Sequence, residues 1–133
     1  MTYVSLGLAL ETILNTIVEF NAVYNYEPKE LLKYPTATVT ALSHEDIFSD
    51  TATNTRVFTF TIRLYYRTDL EDDAESILRD LADKVIVALE ADPTLSGACD
   101  FAKPTKASWT YSEREVPVRI VEMTIDINKR VPR

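Results

Sequence analysis

The stretch RVFTFTIRLYYR, residues 56–67, constrains the fold more than any other part of the sequence. It contains neither glycine nor proline, and its side chains alternate between two rows, which is the pattern of a β-strand with one buried face. The first row is almost wholly aromatic and aliphatic: Phe58, Phe60, Ile62, Leu64 and Tyr66. The second row is mixed: Val57, Thr59, Thr61, Arg63, Tyr65 and Arg67. The pattern predicts a long strand whose first row packs in the core.

Apolar periodicity predicts the elements around this strand. Residues 5–20 and 72–90 repeat apolar side chains at helical spacing, and Pro93 ends the second helix. Alternating residues predict three further strands, at 36–43, 107–113 and 116–131. The order helix, strand, strand, helix, strand, strand predicts an α+β fold with a four-stranded, mainly antiparallel or mixed sheet packed against two helices. The length of 133 residues suits one domain, spanning residues 1–133.

The polar segment HEDIFSDTATN, residues 44–54, separates two predicted strands. Hairpin loops usually have about 2–5 residues, so a loop of this length is expected to have a function of its own. We predict that it contacts another subunit, through His44, Glu45, Asp46, Ile47 and Phe48. The basic segment NKRVPR, residues 128–133, is predicted to form a C-terminal tail.

The sequence offers no catalytic or cofactor-binding constellation. One histidine, one cysteine and two glycines exclude the usual zinc sites and glycine-rich phosphate loops. We therefore expect no enzyme activity, no cofactor and no metal. A small metal-dependent cytoplasmic enzyme that uses Glu45, Asp46 and the carboxylates of residues 69–75 is an open alternative, although acids at that position also suit the start of a helix.

Charge and hydropathy exclude further classes. The net charge of −7 argues against a protein that holds nucleic acid through its phosphates, although a nucleic-acid adaptor using Arg56, Arg63 and Arg67 is a second alternative. No stretch approaches the length of uncharged apolar residues that a membrane helix needs. The N-terminal segment lacks a basic region and is expected to lead into a helix instead of forming a signal peptide.

The second row of the long strand is not explained by packing in the core. Arg63, Tyr65 and Arg67 are of the residue types enriched at protein interfaces, so we predict that this row is a contact surface. The alternative is that a helix or the N-terminal crossing of the same domain covers it.

Three stretches resemble tail terminator (tail completion) proteins of long-tailed bacteriophages. They are YNYEPKELLKYPTATVT, FTFTIRLYYRTDLEDDAESILRDLADKVIVALEADPTLSG and EREVPVRIVEMTIDI, within a similarity that extends from about residue 10 to residue 130. The resemblance implies a structural virion protein that forms a ring, commonly a hexamer. Such a ring caps the tail tube, ends its polymerisation and provides the docking surface for the head connector.

The same resemblance implies the partners and the location of the protein. They are further copies of the chain, the tail tube protein and the head completion or connector protein, assembled in the bacterial host cytoplasm into the virion tail or neck. DNA would pass through the ring without specific binding, and no membrane would be involved. The acidic helix start, with Asp72 and Asp73, would face a neighbour's arginines or the channel. Another neck, connector or tail tube component is the alternative within this class.

Overall fold

The computed structural model describes residues 2–29, 33–48, 52–67, 74–112 and 117–132. Two helices and five strands follow one another in these ranges: α1 (Thr2–Asn15), β1 (Ala22–Tyr24), β2 (Thr36–Phe48), β3 (Thr53–Arg67), α2 (Ala74–Ala91), β4 (Phe101–Ser112) and β5 (Val118–Pro132). The strands form one sheet in the order β1-β2-β3-β5-β4. The predicted α+β class is confirmed, and the sheet has one more strand than predicted, because the short β1 pairs in parallel with the start of β2.

Strand β3 occupies the centre of the sheet, as its length and apolar row require. It pairs antiparallel with β2 on one side and with β5 on the other. Ile62 is fully buried and lies opposite Val39 of β2 and Met123 of β5. Cross-strand partners share a face of the sheet, so the three strands bring their apolar rows together into one core.

Both helices pack on the face of the sheet that carries this core. Each helix buries one apolar stripe in the same cluster as the first row of β3. The stripe of α1 includes Leu6, Leu10 and Leu14, and that of α2 includes Leu78, Leu81, Val85 and Leu89. Burial of these stripes supplies the main stabilisation of helices of this length, because an isolated helix is marginal in water.

Two segments predicted as irregular are strands. Of the segment predicted as a loop over 44–54, residues 44–48 and 53–54 belong to the paired strands β2 and β3, and His44 lies opposite Phe58 and Asp46 opposite Arg56. Of the segment predicted as a tail over 128–133, residues 128–132 belong to β5 and pair with the start of β3. Both predictions were wrong for the same reason. Polar side chains indicate that a segment is exposed, but an exposed segment can still form a strand when its backbone pairs with a neighbouring strand.

Gly7 lies within α1 and is buried against the sheet. A β-carbon at this position would be 3.9 Å from Cε2 of Phe60, an ordinary van der Waals contact. Replacing Gly7 with alanine should therefore raise the free energy of unfolding by about 0.5–1 kcal/mol, because alanine loses less backbone entropy in a helix. Urea unfolding at equilibrium measures the change.

The matched control is Ala9→Gly in the same helix, which should lower the free energy of unfolding by a similar amount. A loss of stability in Gly7→Ala would contradict the spacing between α1 and Phe60.

Candidate assembly surfaces

The face of the sheet opposite the helices is rich in hydroxyl groups, and we call it the open face. It is formed by the second row of β3 and the cross-strand partners of that row. On the four long strands these residues include Thr40, Thr59, Thr61, Arg63, Glu122, Thr124, Asp126, Lys103, Lys106 and Ser108. A surface of this kind can meet water or another polar surface without exposing a large apolar patch.

Charges of both signs lie on the open face, and several are paired across strands. The Nε atom of Arg63 donates to Oε2 of Glu122 at 3.0 Å, and the hydroxyl of Thr59 donates to Oδ1 of Asp126 at 3.0 Å. Lys103 and Lys106 of β4 are exposed. The open face is therefore close to electrically balanced, in contrast to the negative charge of the whole chain.

Helix α2 contributes more of the negative charge than the open face does. Its acidic residues outnumber its basic ones: Glu75, Asp80, Asp83 and Glu90 against Arg79 and Lys84. Glu75 binds Arg119 of β5, with 3.2 Å between Oε1 and Nη2, and the Arg119 guanidinium holds the pKa of the Glu75 carboxyl below its usual range. The acidic residues that the sequence singled out before this helix, Asp72 and Asp73, lie outside the described residues.

Tyr65 does not belong to an exposed contact surface, contrary to the prediction. Its side chain is 6% exposed, and its hydroxyl donates a hydrogen bond to the carboxylate of Glu27. Burial, together with this bond, raises the pKa of Tyr65. Glu27 lies in the segment after β1, so the N-terminal crossing of the same chain covers this end of the second row, as the alternative interpretation had it.

The other two members of the predicted contact row are less covered. Arg63 is half-buried, and its Nη1 atom lies 3.9 Å from Oε2 of Glu27 in addition to its contact with Glu122. Arg67 lies at the end of β3, opposite Val118 of β5. A contact role for Arg63 and Arg67 stays a prediction.

The outer part of the β2–β3 hairpin holds the other predicted contact residues. The Tyr3 hydroxyl is hydrogen-bonded to Nδ1 of His44, and the Tyr3 ring meets Phe58 edge to face at 4.9 Å. Asp46 binds Arg56 through two contacts, one of them 3.0 Å from Nη2 to Oδ2, and Arg56 lowers the pKa of the Asp46 carboxyl. These contacts engage His44 and Asp46 within the chain.

Glu45, Ile47 and Phe48 complete this set. Glu45 and Ile47 are exposed, and Ile47 is 51% accessible. The backbone of Phe48 pairs with Asn54 at the end of the hairpin. His44 and Asp46 are exposed too, so Glu45 and Ile47 differ from them in taking no part in the hydrogen bonds and ion pairs described above.

Both long borders of the sheet present backbone groups to a partner. On one border, β1 covers β2 only as far as Thr38, and no strand among the described residues pairs with residues 39–48 on that side. On the other border, β4 pairs with β5 alone in the described part of the chain. We call these the β2 edge and the β4 edge. Sequence reasoning missed them, although Pro104 within β4 is a signal of an edge strand.

An apolar groove lies beside the β2 edge. A cavity of about 240 Å³ opens between the start of α1 and β2, lined by Tyr3, Val4, Gly7, Asn25, Val39, Ala41 and Phe60. Val4 and Leu8 of α1 and Leu42 of β2 are each about half exposed or more. Exposed apolar residues next to an unpaired strand favour contact with another polypeptide.

Metal binding and thiol chemistry can be assessed from the described residues. They contain no group of three or more His, Cys, Asp or Glu side chains that could hold a metal ion. Cys99 is buried, and burial raises the pKa of its thiol, so the reactive thiolate is disfavoured. Neither of the two described helices is long and apolar enough to cross a membrane.

Comparison with known proteins identifies a shared fold. No protein-family model and no curated protein sequence matches the chain. Its fold is similar to that of a solved chain in the virion of a native gene transfer agent particle, with a TM-score of 0.52 and 16% sequence identity. The match covers 95% of this chain and 95% of that chain. At this identity the likeness shows a common fold.

Proposed function

We propose that the chain is a structural protein of a phage-like virion, and that it forms a ring on the end of the tail tube. The observation that supports this most is the fold shared with a gene transfer agent virion chain over nearly the full length of both. The sequence resemblance to tail terminator proteins points the same way. The ring stops addition of further tube subunits and offers its other side to the head connector.

The geometry of the sheet suits such a ring. Two edges on opposite borders of one sheet, which no described strand covers, allow head-to-tail contact between identical copies, and this contact closes into a ring when the rotation between copies is right. With the helices on the outside, the open face lines the central channel. Its hydroxyl groups and paired charges give DNA no strong array of cations to bind, so the DNA would pass through with little retention.

A tube-assembly reaction tests the proposal. Adding the protein to polymerising tail tube protein from the same virion should shorten the tubes in proportion to the amount added, as measured on negatively stained images. Serum albumin at the same concentration is the control and should leave the lengths unchanged.

The direction of the length change separates the related roles. A tail tube component would instead lengthen the tubes or appear along them, and a protein that acts elsewhere in the neck would leave their lengths unchanged. Either result would contradict capping.

A further inference from the structure

The two edges of the sheet are complementary in charge. Residues 43–48 of the β2 edge contain Glu45 and Asp46 and no lysine or arginine. The β4 edge contains Lys103 and Lys106 and no acidic residue. Asp46 is neutralised by Arg56, so Glu45 is the carboxylate of this edge without an ion pair to a described residue. Opposite charge favours contact between a β2 edge and a β4 edge. Like charge disfavours contact between two β2 edges or between two β4 edges.

From these observations we infer that the β2 edge of one copy pairs with the β4 edge of the next copy and that Glu45 meets Lys106 across this contact. The inference rests on the proposed function and specifies the subunit interface of the ring. The occupant of the β2 edge is therefore a second copy of this chain.

Strand direction is compatible with this contact. Strand β4 runs opposite to β2. Three antiparallel pairings separate them, namely β2 with β3, β3 with β5 and β5 with β4. A neighbour related by rotation about an axis along the strands keeps the direction of each strand. Its β2 then lies antiparallel to β4 of the first copy, and the helices of both copies stay on the same side of the joined sheet.

Register is compatible as well. Glu45 and Lys106 both lie on the open face of their strands. Placing them opposite one another puts His44 of one copy opposite Ala107 of the other, and both of these lie on the helix-covered face. A shift by one residue would put side chains of different faces opposite one another.

The apolar groove supplies a second reason for a neighbour at this edge. Leu42, at the β-bulge of β2, is 64% exposed, and Val4 of α1 is 54% exposed. Both lie on the β2 side of the molecule, so a strand added at the β2 edge would bring a neighbour against this surface. Backbone pairing and burial of apolar area then act together, as in other cases of strand addition.

Charge exchange tests the contact. Glu45→Lys and Lys106→Glu each place like charges across the interface, so each variant should need about tenfold or more protein to assemble, measured by sedimentation velocity with and without tube ends. A mixture of the two variants restores opposite charges at every contact where the two alternate, so rings with an even number of subunits should assemble like the unchanged protein. Glu90→Lys on α2 is the matched control and should assemble normally.

Cysteine cross-linking gives an independent measurement. In a Cys99→Ser background, Glu45→Cys and Lys106→Cys in one chain should form a ladder of covalent oligomers on oxidation, while each alone should give none and their mixture should stop at dimers. Cross-linking of Glu45→Cys with itself would overturn the inference. So would normal assembly of both charge variants. If the unchanged protein and its charge variants all shorten the tubes, the proposed function holds and the proposed interface between Glu45 and Lys106 is wrong.

Discussion

Replacing Tyr65 with alanine should lower the free energy of unfolding by about 3–5 kcal/mol, the range seen when a large buried aromatic side chain is removed. Tyr65 is 6% exposed and bonded to Glu27, so the substitution leaves a cavity beneath the N-terminal crossing and removes a partner of the carboxylate. Urea unfolding followed by circular dichroism measures the loss. The result matters because the sequence alone placed Tyr65 on a contact surface.

Two further substitutions identify the cause. Tyr65→Phe keeps the ring and removes the hydroxyl, and it should lower the free energy of unfolding by about 1–3 kcal/mol. Arg63→Ala in the same row removes a half-exposed ion pair with Glu122 and should cost about 0–1 kcal/mol. If Tyr65→Ala were as stable as the unchanged protein but failed to assemble, Tyr65 would be an interface residue after all.

Replacing Leu81 with alanine should lower the free energy of unfolding by about 2–5 kcal/mol. Leu81 lies in α2 and is 1% exposed, within the core that this helix forms with the sheet. Alanine leaves a cavity that neighbouring strands cannot fill, because their backbones are fixed by pairing. Equilibrium urea unfolding measures the change.

Val87→Ala in the same helix is the matched control. Val87 is 65% exposed, so its substitution should change the free energy of unfolding by about 0.5 kcal/mol or less. Equal losses in the two variants would contradict the orientation of α2 on the sheet.

Periodicity was sufficient to predict the fold class and the core. The alternating row from Phe58 to Leu64 is buried as predicted, and so is the stripe of α2 that includes Leu78 and Leu81. Burying an apolar row contributes strongly to stability, and it requires the apolar side chains of one helix or strand to point to the same side. This requirement acts on residues that are close together in the sequence. Such requirements are visible in a single sequence.

The candidate assembly surfaces could be predicted only in part. Polar composition suggested a loop at residues 44–54, whereas His44 and Asp46 lie within a hairpin because each has a cross-strand partner on β3. Sequence reasoning selected Glu45, which the structure leaves exposed, and missed Lys106 on β4. The strands at the border of a sheet are determined by which strands pair with one another. Here the pairs include segments that lie far apart in the chain, such as β3 and β5.

The sequence by itself determined the two helices, the apolar part of each long strand and the side of each element that enters the core, since these follow from the spacing of apolar residues along a few turns or a single strand. Only the tertiary structure decided that Tyr65 is covered, that the hairpin extends to Phe48 and that no described strand pairs with the two edges. The physical reason is that covering and pairing are contacts between distant segments. Glu27 follows β1 and accepts a hydrogen bond from Tyr65 of β3, and no local pattern around either residue indicates that contact.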